Sequence, residues 1–196
     1  MIKRELVVKL PGWVGDILEK RGHVLQGYEE RMRLVIELAK LNVEYKTGGP
    51  FGAAIFEQES GRLVSVGVNL VESTKCSVAH AEIVAMGLAQ RAVRSYDLGA
   101  EGLPAHELVT STEPCAMCLG AVVWSGVWRV VCGAKSEDAI EVGFDEGDKP
   151  ADWVGTLQKR GIRVVRDVLR EEARAVLLRY KETGGHIYNA RRETDI

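Results

Sequence analysis

The sequence predicts an α/β protein of three layers, α/β/α, with a mixed five-stranded sheet whose fourth and fifth strands run parallel. Three observations lead there. After an initial hairpin, short apolar runs alternate with stretches of helical periodicity, the pattern of a sheet covered on both faces. A helical stretch at 152–159 separates the fourth and fifth strand-like runs, and a crossover helix joins parallel neighbours, whereas antiparallel ones need only a hairpin. The 196 residues suit one domain with extensions, and 46% hydrophobic against 28% charged residues is the balance of a folded globular chain.

The elements follow in order. Residues 1–26 read as an N-terminal extension: a short strand at Leu6–Leu10, a break at Pro11-Gly12, and a helix opening at Trp13 with Pro11 near its first turn. From Tyr28 to Tyr45, residues Met32, Val35, Ile36, Leu38, Ala39 and Leu41 fall largely on one helical face, and Thr47-Gly48-Gly49-Pro50 stops the helix. Phe51–Phe56 and Leu63–Asn69 form a hairpin. A helix from about Ala79 to Ser95 takes Ser77 as its N-cap. Leu108–Ser111 is the third strand, and a helix to Ser125 follows Thr112-Glu113-Pro114. Trp128–Cys132 is the fourth strand, and the acidic stretch from Ser136 to Pro150 reads as irregular, with room for one helical turn. A helix over Asp152–Lys159, a strand at Ile162–Val165 and an amphipathic helix from Val168 to Tyr180 complete the body, residues 27–182. A tail, 183–196, begins with Gly184-Gly185.

Charge and cysteine usage narrow the function. Lys and Arg number 26 against 28 Asp and Glu, a net charge of −2, which argues against a polyanionic partner such as nucleic acid. No apolar run reaches membrane-spanning length, and the first residues lack the apolar segment of a signal peptide. Two of the four cysteines stand in C-x-x-C, which reads as metal ligation in a reducing compartment and so predicts a cytoplasmic protein.

Two stretches carry chemistry: Ala79-His80-Ala81-Glu82 and Pro114-Cys115-Ala116-Met117-Cys118. His80, Cys115 and Cys118 are the nitrogen and sulfur donors zinc prefers, and three protein ligands leave its fourth position to water. Such a water loses its proton near neutral pH, and Glu82 is a carboxylate placed to take that proton and pass it on. Helix starts favour thiolates, and the i, i+2 spacing lets His80 bind metal while Glu82 stands beside it. The rival is a closed structural site with a fourth ligand, for which Cys76, Cys132 and His106 are the nearest candidates.

H-x-E followed by P-C-x-x-C resembles the signature of the zinc-dependent cytidine-deaminase superfamily. The resemblance implies the cytidine-deaminase-like fold, and a parallel last strand matches its purine, tRNA-adenosine and fungal cytosine branch. Within that branch, Pro50-Phe51-Gly52-Ala53-Ala54, Asn69, Glu113–Ala121 and Val142–Glu146 resemble the bacterial guanine deaminases, over roughly residues 48–148. That likeness implies deamination of free guanine to xanthine and ammonia, with slow side activity on ammeline-like aminotriazines. It implies Glu82 and Glu146 as catalytic acids and substrate contacts from Phe51, Asn69, Ala81, Trp124 and Tyr188. It also implies a homodimer and a tail that closes the pocket, on its own or the partner's subunit. Glu146 departs from the family's usual Asp by one methylene; the bland reading is a solvated glutamate in an acidic loop, with Glu141 as the fallback acid. The competing functions are tRNA adenosine deamination and free cytosine deamination.

Overall fold

Both faces of the sheet are covered because both sets of alternating strand residues are apolar. In the computed structural model, which describes residues 4–189, the ends of the expected extension and tail (1–3 and 190–196) lie outside the described residues. The chain runs α1 (Trp13–Arg21), α2 (Gly27–Glu44), β1 (Gly52–Glu57), β2 (Leu63–Val68), α3 (Val71–Thr74), α4 (Ala81–Val93), β3 (His106–Thr112), α5 (Ala116–Ser125), β4 (Arg129–Ala134), α6 (Ser136–Val142), α7 (Trp153–Gln158), β5 (Arg163–Val165) and α8 (Arg170–Glu182). Ala54, Phe56, Val109 and Val131 join a core with Leu38 of α2 and Leu177 of α8. Their strand neighbours Ala53, Ile55, Leu108 and Val130 join a second core with Ala85 of α4, Val122 of α5 and Leu157 of α7.

The strand order is β2-β1-β3-β4-β5. β1 is antiparallel to β2 and β3, while β3, β4 and β5 run parallel, so the expected parallel pair is part of a parallel trio. Register brings the start of β1 and the ends of β2, β3 and β4 to one end of the sheet: Gly52 pairs with Val68, Ala53 with Thr110, and Thr112 with Ala134. The carboxyl ends of parallel strands are where such folds bind ligands.

Three local readings need correction. Leu6–Leu10 forms no strand; the extension pairs instead through a Val24–Arg62 bridge, with Leu25 N–H donating to the Gly61 carbonyl at 3.0 Å. His80, not Ser77, is the N-cap of α4, with extended backbone angles and no capping hydrogen bond from its side chain. That helix starts later because it sits directly on β2, where a Cβ at Gly67 would collide with the Ala81 carbonyl. The acidic segment holds a true helix, α6, whose Asp138 carboxylate accepts from the Lys135 N–H at 2.8 Å.

Candidate active site

His80 and Cys115 are each the N-cap of their helix, and Cys118 lies in the first turn of α5. Neither cap residue bonds its own helix through its side chain, so both side chains are free to point at a ligand. The His80 Nδ1 stands 3.5 Å from the Cys115 Sγ and 3.6 Å from the Cys118 Sγ. Among the described residues these three form the metal-ligating group, all ligand atoms lying within 4.8 Å of one another. No fourth described side chain joins it: Cys132 is buried in β4, Cys76 is only half-buried before α4, and His106 opens β3 at the far end of the sheet. The closed structural reading therefore loses its ligand. A hydrogen bond from the Cys118 thiol holds Cys115 down at about 4, while the same bond pushes Cys118 up. Two sulfurs and a ring nitrogen holding one another at hydrogen-bond distance are a donor set for a cation that tolerates thiolates, which fits zinc.

Glu82, the second residue of α4, is buried beside this group. Burial raises its carboxyl above the ordinary range, and the negative Cys115 sulfur adds to the effect. Glu146 comes from the segment after α6, and burial pushes it up to about 8, with Lys149 pulling the other way. The first N–H of α5, from Ala116, donates to the Glu146 carbonyl at 2.8 Å, which ties that segment to the metal-binding helix. Gly147 permits this approach: its φ is +67°, and a Cβ there would stand 3.0 Å from the Ala116 Cβ.

Both acids line a cavity of about 340 Å³, together with Phe51, Asn69, His80 and Tyr188. That volume is at the lower end of ligand sites, ~300–1,000 Å³, and suits one small planar molecule. Asn69 continues the β2 edge, donating its N–H to the Phe51 carbonyl at 3.1 Å. Its side-chain oxygen accepts from Val71 N–H at 3.2 Å, and its amide nitrogen bonds no other described residue. The Phe51 ring meets Phe144 edge-on at 4.9 Å, and Tyr188 packs on the same Phe144 at 5.3 Å. The tail is fastened there by Asn189, whose Oδ1 accepts from Asp145 N–H at 3.0 Å and whose Nδ2 donates to the Gly143 carbonyl at 3.0 Å. The Tyr188 hydroxyl and the Glu146 Oε2 are buried with no hydrogen-bond partner among the described residues. Buried polar groups are normally paired, so two orphans on one cavity mark where a polar ligand belongs.

Two expected substrate contacts are not on this cavity. Trp124 is 83% exposed on the outside of α5, because Cys118, Leu119 and Val122 face inward and Trp124 follows Val122 by two residues, about 200° around the helix. Ala81 is fully buried in the core between α4 and the sheet, where its small side chain packs. Conversely, Glu113 lines the cavity and was visible in the sequence only as part of the Glu-Pro-Cys motif. Phe144 was visible only as part of the Val142–Glu146 stretch, and Asn189 carried no role of its own, since its two bonds to the Gly143–Asp145 segment span 44 and 46 residues.

Fold and site together define a hydrolase-type metal centre: three nitrogen and sulfur ligands at the starts of two helices, with two buried acids facing a base-sized cavity. A model of the cytidine and deoxycytidylate deaminase zinc-binding region matches residues 25–134, and the chain belongs to that family. It is 37% identical over 131 residues to the guanine deaminase of Bacillus subtilis strain 168, across 64% of this chain and 80% of that one. It also resembles the solved structure of the guanine deaminase from Nitrosomonas europaea, 46% identical with a TM-score of 0.87, across 93% of this chain and 99% of that one. A structure in complex with 2,6-diaminopurine is 48% identical with a TM-score of 0.87, across 96% of this chain and 98% of that one.

Proposed function

We propose that the protein is a guanine deaminase, converting free guanine and water to xanthine and ammonia. The observation that carries the reading is the pair of buried acids, Glu82 and Glu146, on one small cavity beside His80, Cys115 and Cys118. Zinc held by those three residues supplies, when bound, a water activated for attack at neutral pH. Glu82 takes the proton released there and hands it to ring nitrogen 3 as carbon 2 is attacked. Glu146 accepts hydrogen bonds from the ring N1–H and the exocyclic amine, and passes to that amine the proton the new carbon-2 hydroxyl gives up as it becomes the carbonyl, so that the carbon–nitrogen bond breaks and ammonia leaves. A carboxyl raised to about 8 exchanges protons readily near neutral pH, which suits that role. The free Asn69 amide reads the base edge, and the Phe51 ring packs on the base. Tyr188 closes the cavity over the site, so a base carrying ribose is excluded. Ammeline shares the amidine edge and reacts slowly.

The exposed aromatic residues Trp124 and Trp128, beside an α5 without a charged residue, supply the apolar face of a homodimer. Thiols kept reduced for metal ligation support the reading of a cytoplasmic protein; no described helix is long and apolar enough to cross a membrane. The tRNA alternative would need a basic face for phosphates. Here Arg166, Arg170 and Arg174 are paired with Glu113, Asp138 and Glu141. Ammonia release from guanine, cytosine, adenine, guanosine and a tRNA anticodon stem tests the choice. Guanine is expected to react and guanosine not; turnover of the tRNA stem or cytosine in place of guanine would overturn the reading.

A further inference from the structure

Behind the cavity wall lies a cluster the proposed reaction does not use. Lys149 follows Glu146 by three residues, its side chain only 11% exposed. Its ammonium stands 3.1 Å from the Pro114 carbonyl, bonds the Ser136 hydroxyl, and lies 3.7 Å from the Glu146 Oε2. An ammonium has three N–H donors, and three oxygens surround this one. The Ser136 hydroxyl accepts from Lys149 because its own proton goes to the Glu113 carboxylate at 3.1 Å. Glu113 is fixed in turn by the Ser136 N–H at 3.2 Å and by Arg166 Nε at 2.6 Å. Lys149 and Arg166 both stand over the Trp153 ring, each 5.6 Å from its centroid. The lysine is thus held from every side.

Two features give that position meaning. Pro114 directly precedes the ligand Cys115, so one ammonium grips both the metal-binding loop and the second acid. Among the described residues the Glu146 Oε2 has no donor at hydrogen-bond distance; Cys115 and Glu82 nearby push its carboxyl up, and Lys149 and His80 act the other way. Taking an ammonium out of water is costly unless it is well paired, and here the pairing runs to the site.

We propose that Lys149 is a positioning residue for the reaction: it holds the Glu146 carboxylate in register with the loop that carries Cys115. This rests on the reading of Glu146 as the second acid. The test is a double-mutant cycle on the zinc-loaded protein, with kcat and KM for guanine and zinc content measured for Lys149→Met, Glu146→Gln and the double variant. Outer partners of a metal site typically contribute about 10–100-fold in activity, and Lys149→Met is expected to lose that much with its zinc retained. In the Glu146→Gln background the same change is expected to cost nothing further, because the group it positions is gone. An equal loss in both backgrounds would show a merely structural lysine and overturn the inference while leaving Glu146 in place. Full turnover of Glu146→Gln alone would overturn the reading of Glu146 and the inference with it. Should Lys149→Met fail to fold, Lys149→Arg goes through the same cycle, where its loss must again vanish with Glu146→Gln.

Discussion

The two ends of the sheet bury acids in opposite ways. At the end away from the cavity, Glu107 of β3 is fully buried and both its oxygens are answered: one by Arg31, the other by Arg129 at 2.5 Å. Arg31 also donates to the Leu25 carbonyl at 2.9 Å and lies over the Phe56 ring at 5.4 Å, while Arg129 lies over Tyr28 at 5.0 Å. At the cavity end, Glu82 and Glu146 are also buried, yet no arginine among the described residues reaches them, and the one ammonium nearby, Lys149, stands 3.7 Å from the Glu146 Oε2. A buried charge with every lone pair matched is a fixture of the fold. A buried carboxyl left short of partners has its proton affinity raised and can trade protons with a ligand. The same residue type therefore holds the structure at one end and works at the other, and the difference lies in its partners.

The largest effect expected from that contrast is at Glu82. Glu82→Gln keeps the shape and removes the proton shuttle, so kcat falls by about 10²–10⁴-fold, the span of general acid–base catalysis. Zinc content is expected to stay whole, because the ligand set excludes Glu82. Stability should not fall. A carboxyl raised by burial favours the folded state fully below its unfolded value and loses that contribution as pH rises, so at pH 7 the neutral glutamine is no worse than the native glutamate. Thermal melts with metal analysis check both points, and a strongly destabilised variant with intact turnover would reverse the contrast.

Glu107→Gln is the mirror experiment. Removing one member of a buried ion group leaves the others uncompensated and costs about 3–5 kcal/mol. Denaturant unfolding should register that loss, while the fraction that remains folded keeps native kcat and zinc. A variant as stable as the native protein but slow would mean that Glu107 acts on the site through the sheet.

Much of the working end was legible in the sequence because it depends on short spacing. H-x-E and P-C-x-x-C place ligands at helix starts, where a two- or three-residue offset fixes which side chains share a corner. Phe51 and Asn69 also reach the cavity, being at the start of β1 and the end of β2 in a hairpin whose register is local. Trp124 stands off this cavity because its direction on α5 depends on which residue begins the helix, and a reading by resemblance carries no helical phase. The structural end was hidden for a different reason. Glu107 lies 76 residues from Arg31 and 22 from Arg129, and the three meet only through topology.

Helix α6 belongs with that hidden class, and it supplies the smallest of these expected effects. Its sequence, Ser-Glu-Asp-Ala-Ile-Glu-Val, is short and acidic and does not demand a helix. Asp138 makes the difference: it caps the helix from within through the Lys135 N–H and receives Arg170 through two bonds of 2.8 and 2.9 Å from α8. Hydrogen bonds from Arg170 hold its carboxyl below the usual range, against the opposing effect of burial. A lowered carboxyl contributes its full stability above the unfolded value, 3.8, and loses it as pH falls through the folded value below that. Asp138→Asn is therefore expected to lower the melting temperature modestly at pH 7, since the arginines are partly open to solvent, with the gap to the native protein closing as the pH drops below about 4. A gap that stays constant from pH 7 to 3 would mean that the cap geometry of Asp138, and not its charge, is what holds α6 against α8.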